Sequence, residues 1–261
     1  MIRGLDLFRE HFADYRKAFV LIGGVACHEW LSMQGLEFRA TKDMDMVLIV
    51  EVLDAAFVKR FWEFIEAGKY QGRFRAEDGR QLYRFDRPQN ERYPTMIEIF
   101  SRKPPNIDLA EGQTIVPIKL DDDSASLSAI LLNDDYYALI RDQHNEEKNL
   151  PFANPAALIP LKARAYIDLA ERVAKGEEGK SKDIAKHRTD VFRIAATLPG
   201  EAGPAIPEAV REDLRKFLSA FPPENKEQWQ AIQAGLETTF GSRRIEPQTL
   251  IEAIRTYFEA K

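Results

Sequence analysis

Val20-Leu-Ile-Gly-Gly-Val-Ala26 and, beyond a short helical stretch, Arg39-Ala-Thr-Lys-Asp-Met-Asp-Met-Val47 are the two segments on which the fold turns. Ala18–Ile22 reads as a buried strand that ends at Gly23-Gly24. Val25–Gln34 then has helical character, and Gly35 supplies its stop. From Asp43 the pattern alternates before running into Val47-Leu-Ile-Val50, so Asp43–Glu51 is a second strand. Residues i and i+2 of a strand share a face, so Asp43 and Asp45 direct both carboxylates to one side while Met44 and Met46 face the core. Two crowded carboxylates repel unless a cation sits between them. Phosphoryl and nucleotidyl transfer use such a pair to hold two Mg2+ ions about 3.5–4 Å apart. Gly23-Gly24, at a strand end and a helix start, lets the backbone approach a triphosphate and offers it free N–H groups. Glu98, alternating with Ile97 and Ile99 in Thr95-Met-Ile-Glu-Ile-Phe100, is the candidate third acid on a neighbouring strand. A bare Asp-x-Asp is more often the solvated face of an edge strand; the Gly-Gly turn and the second strand acid are what shift the reading.

Outward from this core, residues 1–17 predict a short amphipathic helix. Asp54–Ala67 predicts another, ended by Gly68. Strand-like pieces follow at Arg73–Ala76, Gln81–Phe85 and Thr95–Phe100, the first two joined through Asp78-Gly79, a strong hairpin signal. Arg102 to Asp134 is less regular, and Asp121-Asp-Asp123 reads as a solvated loop. Asn154-Pro155 pairs an N-cap with a proline at the first helical position and opens a helix to about Lys175. Ser181 is a candidate cap for a helix over Lys182–Leu198, and Pro207–Phe221, Asn225–Phe240 and Pro247–Ala260 complete a helical set. The expected class is therefore α+β, with a mixed-sheet domain over 1–153 and flanking helices, then a helical bundle over 154–261.

Composition sets the outer bounds. Among 261 residues, 44% are apolar and 30% charged, an ordinary globular mixture. Cys27 is the single cysteine, which excludes an internal disulfide and a zinc site built on several thiolates. No apolar run approaches the roughly 20 residues of a membrane span, and the charged opening MIRGLDLFREHF lacks a leader core, so a cytoplasmic protein is expected. The net charge of −5 argues against nonspecific coating of nucleic acid.

Against that acidic average, Lys180–Arg193 carries five Lys or Arg and two Asp. Asp183, His187 and Asp190 fall at i, i+4 and i+7, one helical face, beside a stripe of Ile184, Val191 and Ala195. Such a row is usually a solvated surface. His187 reads either as a proton acceptor near neutral pH or as a helix-face histidine paired with Asp183 and Asp190.

Taken together, the Gly-Gly turn, helix, Asp-x-Asp and later strand acid resemble the polymerase β-like nucleotidyltransferase superfamily. Arg39-Ala-Thr-Lys-Asp-Met-Asp looks like the R-x-T-x-D-x-D of AbiEii-type nucleotidyltransferases, the toxin halves of type IV toxin–antitoxin and abortive-infection systems. Lys162, in Leu158-Ile-Pro-Leu-Lys162, and Lys182-Asp183 match that family's later motifs. The resemblance spans roughly residues 18 to 195. It departs at Gly24, where many relatives have serine, and at Glu98, where they commonly have Asp. It implies transfer of a nucleoside monophosphate from an NTP to a hydroxyl of a tRNA 3′ end or a protein. Asp43, Asp45 and Glu98 would hold Mg2+, or Mn2+ in its place, and Gly23 and Gly24 would cradle phosphates. Arg39, Lys42, Lys162 and Lys182 would bind nucleotide and offset its charge, Asp183 would orient it or act as base, and an antitoxin would be encoded nearby. Two alternatives stand beside this: a nucleotide-binding regulatory protein of the same fold, and a small-molecule nucleotidyltransferase of the antibiotic-modifying kind.

Overall fold

The computed structural model describes residues 2–49, 51–52, 54–77, 80–101, 116–117, 130, 133–176, 181–241, 243 and 245–259. The Asp78-Gly79 dipeptide, the acidic triplet at 121–123 and Lys180 lie outside them. The chain is α+β and forms two compact units that interleave along the sequence. One takes in Met1–Ala26, Ala40–Leu120 and His144–Ala153, the other Cys27–Arg39, Asp121–Gln143 and Asn154–Lys261. Contiguous halves divided at 153/154 were the expectation; the structure groups 27–39 and 121–143 with the C-terminal helices.

The first unit is built on one mixed sheet. Its strands among the described residues are β1 (Phe19–Leu21), β2 (Asp43–Leu48), β3 (Gln71–Glu77), β4 (Arg80–Asp86), β5 (Met96–Ser101), β6 (Val116–Pro117), β7 (His144–Glu147) and β8 (Leu150–Ala153). They lie in the order β6-β3-β4-β5-β2-β1-β8-β7. Strand β2 is therefore central, parallel to β5 and antiparallel to β1. The hairpin strands β3 and β4 pair antiparallel with Glu77 opposite Arg80. Strands β7 and β8 went unread in the sequence. They pair antiparallel around Lys148 and Asn149, both at positive φ (51° and 62°), the backbone of a tight hairpin turn.

Register separates the two faces of the sheet. Met44, Met46, Ile97 and Ile99 are all at most 1% exposed, and the partners Phe19 and Phe85 stand on their side. Helices α1 (Leu5–His11) and α3 (Ala55–Gly68) cover this face through rings. Phe61 meets Phe85 at 5.3 Å between centroids, Phe8 meets Phe19 at 5.5 Å, and Phe8 meets Phe64 edge-on at 5.6 Å. Asp54 caps α3 by accepting from the Phe57 N–H at 2.7 Å, which sets where that aromatic face begins. Helix α2 (Gly23–Met33) starts two residues earlier than its sequence pattern suggests, so both glycines belong to its first turn.

In the second unit, α4 (Asp134–Asp142), α5 (Pro155–Ala174), α6 (Ser181–Ala195), α7 (Glu208–Ser219), α8 (Lys226–Phe240) and α9 (Thr249–Phe258) form the helical set. Asn154 caps α5 by accepting from the Ala156 N–H at 2.9 Å, with Pro155 at the first helical position as expected. Helix α5 packs on α6 and α7, and α6 also on α8 and α9. Phe192, Phe217 and Phe221 form an aromatic cluster with Trp229 at that junction. No helix among the described residues is long and apolar enough to cross a membrane.

The ring stack dominates the apolar face of the sheet unit. Phe64→Ala is expected to cost about 3–5 kcal/mol in urea unfolding, whereas Met33→Ala, at a side chain 45% exposed, should stay within about 0.5 kcal/mol of wild type.

Candidate functional site: an acidic sheet face and a buried basic cluster

The opposite face of the sheet carries the acids. In β2 and β5, Asp43 is registered to Met96 and Asp45 to Glu98, and β4 continues the second of these rows with Arg84 opposite Glu98. Asp45, Glu98 and Arg84 thus form one row across three adjacent strands, with Asp43 a step along on the same face. Asp86, registered to Met96, is a further acid on this face, separated from Asp43 by the β5 strand. Because β2 is central, the alternation of Asp43 and Asp45 is not that of an edge strand.

Glu98 is 4% exposed and Arg84 8%. Both Nε and Nη2 of Arg84 engage Glu98 Oε1. Glu98 lies on β5, the strand next to β2, directly across from Asp45, with its carboxylate held by a guanidinium. Among the described residues no three Asp, Glu, His or Cys side chains converge as a ready metal cluster. The donor set offered by Asp43 and Asp45 is all carboxylate oxygen, which suits Mg2+ or Mn2+, ions that complete their coordination with water and phosphate. The chemistry of these two carboxylates suits such an ion, and Glu98 pairs with Arg84.

The glycines sit against this row. Gly23 has φ +63°, and a Cβ there would collide with Asp45 Oδ2. Its backbone is thus both left-handed and in close approach to a predicted ligand. A Cβ at Gly24 would collide with Thr41 Oγ1. The hydroxyl that Gly24 cannot supply is therefore present beside it, on Thr41, a residue the sequence reading quoted without assigning. The Ile22 N–H donates to the Asp45 carbonyl at 2.9 Å, which ties the strand end before the turn to β2.

The second constellation lies within the helical unit and centres on Asp190, whose side chain is fully buried. Asp190 Oδ2 pairs with Arg39 Nη2 at 2.9 Å and Lys162 Nζ at 3.1 Å, and its Oδ1 accepts from Arg193 Nη1 at 3.0 Å. Arg193 also donates to the Gly235 carbonyl and to Thr238 Oγ1. Arg39 lies over the Phe38 ring, 4.9 Å from its centroid. Burial alone would raise the Asp190 carboxyl, but Lys162, Arg39 and Arg193 hold it well below the usual carboxylate range. Burial works to lower the Lys162 ammonium and is outweighed by Cys27 and Asp190 beside it, so its pKa stands above the ordinary value. The same burial pushes the Cys27 thiol up to about 11.

Of the predicted nucleotide-binding residues, the structure brings Arg39 and Lys162 together on Asp190. Lys42 and Lys182 are exposed, and Asp183 is half-buried in the first turn of α6, two turns before Asp190. His187 is buried on the same helix. The organising role of Asp190, and those of Arg84 and Arg193, were missed. The available signal was a carboxylate at the C-terminal end of a basic helical run that also carries the apolar stripe. A cavity of about 420 Å³, lined by Lys226, Trp229 and Pro247 among others, contains none of the predicted residues.

No family model matches the chain, and no curated protein matches it. Among solved structures, it is similar to an antigenic nucleotidyltransferase-like protein from Paracoccidioides brasiliensis, with 12% identity, a TM-score of 0.41, and coverage of 90% of this chain and 95% of that one.

Two sets of variants test this geometry. Gly23→Ala should lose about 2–5 kcal/mol, combining a left-handed backbone penalty with a collision at Asp45. Gly24→Ala should lose about 1–3 kcal/mol against Thr41, while Gly35→Asn, at φ +69° with nothing near its Cβ position, should be close to neutral in the same denaturation. Asp190 is ionised in the folded chain far below its unfolded pKa of about 4, so at acid pH the unfolded state binds the extra proton. Its stabilisation is present above that pKa and is lost as pH falls below it. The stability gap between wild type and Asp190→Asn should therefore be widest at neutral pH and narrow below about pH 4.

Proposed function

We propose that the chain is a divalent-cation-dependent nucleotidyltransferase that moves a nucleoside monophosphate from an NTP to an acceptor hydroxyl and releases pyrophosphate. The observation that carries this reading is the placement of Asp43 and Asp45 on one face of the central strand β2, with Gly23-Gly24 and the opening turn of α2 set against Asp45. Asp43 and Asp45 would hold Mg2+ or Mn2+. When bound, the ion supplies charge neutralisation and Lewis-acid polarisation at the phosphoryl group. The N–H groups of the Gly23-Gly24 turn would cradle the phosphates, with the Thr41 hydroxyl beside them as a further donor. Asp45 is kept in place by the Gly23 contact, and Glu98 by Arg84, so positioning rather than covalent chemistry is what these residues contribute. Arg39, Lys42, Lys162 and Lys182 are assigned to offsetting triphosphate charge and Asp183 to orienting the nucleotide or acting as base, on the resemblance to AbiEii-type proteins. The same resemblance supports a toxin whose acceptor is a tRNA 3′ end or a protein side chain and whose antitoxin is encoded nearby.

The second reading is a regulatory protein of this fold that binds NTP and turns it over little. The engagement of Glu98 by Arg84 favours it, since the third carboxylate is not presented openly.

Incubation with labelled NTPs, Mg2+ and either total RNA or lysate protein separates the two. Transfer of label that falls at least about 100-fold in Asp43→Ala and Asp45→Ala is the expected result. NTP binding without transfer selects the regulatory reading, and transfer undiminished in Asp43→Ala removes the metal assignment.

A further inference from the structure

Two arginines of the basic run on α6 end in different company. Arg193 turns inward to Asp190 and the Gly235 carbonyl. Arg188, half-buried on the same helix, has no ion pair and no hydrogen bond among the described residues, and its Nε is buried without an acceptor. Buried polar groups in native proteins are nearly all satisfied, so one that the chain itself leaves open points to a water or an ion. Burial lowers the guanidinium from its ordinary value, yet it stays charged at any ordinary pH. The missing acceptor is therefore missing from a cation. Tyr166, half-buried on α5, is the group whose charge bears on Arg188, and α5 and α6 pack on one another. The Tyr166 ring lies 5.3 Å from Phe217 and 5.6 Å from Phe221 between centroids, and Phe221 lies 5.2 Å from Phe192, one turn beyond Arg188 on α6. The phenol is thus held by its ring, while its hydroxyl makes no hydrogen bond among the described residues.

We propose that Arg188 and Tyr166 form a phosphate-binding site on the helical unit, built without any residue of the acidic sheet face. The guanidinium presents Nε–H and Nη–H as a fork, and the phenol adds an O–H from the facing helix. Three donors on two side chains match the three oxygens of a phosphate group better than the two of a carboxylate. Inorganic phosphate and the backbone of a nucleic acid both present such oxygens, so the chemistry recognised is the phosphate group itself. The aromatic rings beneath it shield the Arg188 stem and strengthen a charge-assisted hydrogen bond by keeping water from one side of it.

The test is titration of the full chain with inorganic phosphate, read by the NMR signal of the Arg188 Nε–H, identified as the arginine side-chain signal absent from Arg188→Lys. In wild type that signal should shift and saturate, and acetate should bind at least about tenfold more weakly. Tyr166→Phe should weaken phosphate binding about two- to tenfold, the share of one neutral donor. Arg188→Lys, followed through the backbone signals around Tyr166, should weaken it at least about tenfold, because an ammonium lacks the fork. A short oligoribonucleotide without terminal phosphate separates the two sources. Response at a concentration at least about tenfold lower than for inorganic phosphate supports the site as a nucleic-acid contact, and a weaker response or none supports it as a site for free phosphate. An Arg188 signal that neither inorganic phosphate nor the oligoribonucleotide moves overturns the inference and leaves water as the partner of Nε. Equal affinity for acetate, or undiminished phosphate binding in Tyr166→Phe or Arg188→Lys, overturns it as well. The wild-type titration decides the matter even where a variant fails to fold, and since no turnover is read, the outcome is independent of the transferase reading.

Discussion

The contact between the Gly23 backbone and the Asp45 carboxylate is the constraint to which the acidic face answers. It requires a residue without a Cβ, in a left-handed conformation, where β1 gives way to α2. It also requires β2 to be in the one register that brings Asp45 to that point. A one-residue slip would turn Asp43 and Asp45 into the layer occupied by Met44 and Met46. The phenylalanines of α1 and α3 prevent this, since they need Met44, Met46, Ile97 and Ile99 on their own side. Aromatic packing on one face thereby specifies the position of carboxylates on the other.

A similar economy governs the helical unit. Asp190, fully buried, has a cost that only its partners offset: Lys162 from α5, Arg193 from its own helix, and Arg39. Desolvation would neutralise an isolated carboxylate in that position; three cations keep it ionised and in turn are oriented by it. Two of the four basic residues that the sequence offered as nucleotide contacts, Arg39 and Lys162, are thus ordered by one acid. Cys27, nearby and with its thiol pKa raised, is a packed core residue with little thiolate at neutral pH.

Local pattern made much of this legible. The alternation at Asp43–Met46 placed the two aspartates and the two methionines on their proper faces, and the alternation around Glu98 identified the acid that falls opposite Asp45. Asn154-Pro155 marked the start of α5 to the residue. What escaped depends on partners distant in sequence. That Arg84 meets Glu98 follows from the register of β4 on β5, and no spacing within either strand records it. Asp190 lies on the helical face noted from the sequence, yet its partners come from residues 39 and 162, so its role needed the packing of α5 on α6. Strands β7 and β8 were hidden by charge in His144–Glu147, by Pro151, and by a turn at Lys148-Asn149 whose first residue is seldom chosen for a left-handed backbone. The serine missing at Gly24 looked like a lost hydroxyl until Thr41 appeared beside it.

The central claim, a divalent-cation site on the Asp43–Asp45 face of the sheet, is tested most directly by crystallising the chain with Mn2+ and a non-hydrolysable NTP analogue and measuring anomalous scattering at the manganese edge. The account predicts an anomalous peak coordinated by Asp43, Asp45 and the analogue's phosphates, with Arg84 still on Glu98. Analogue bound with no peak at those carboxylates, or manganese bound elsewhere, would contradict it.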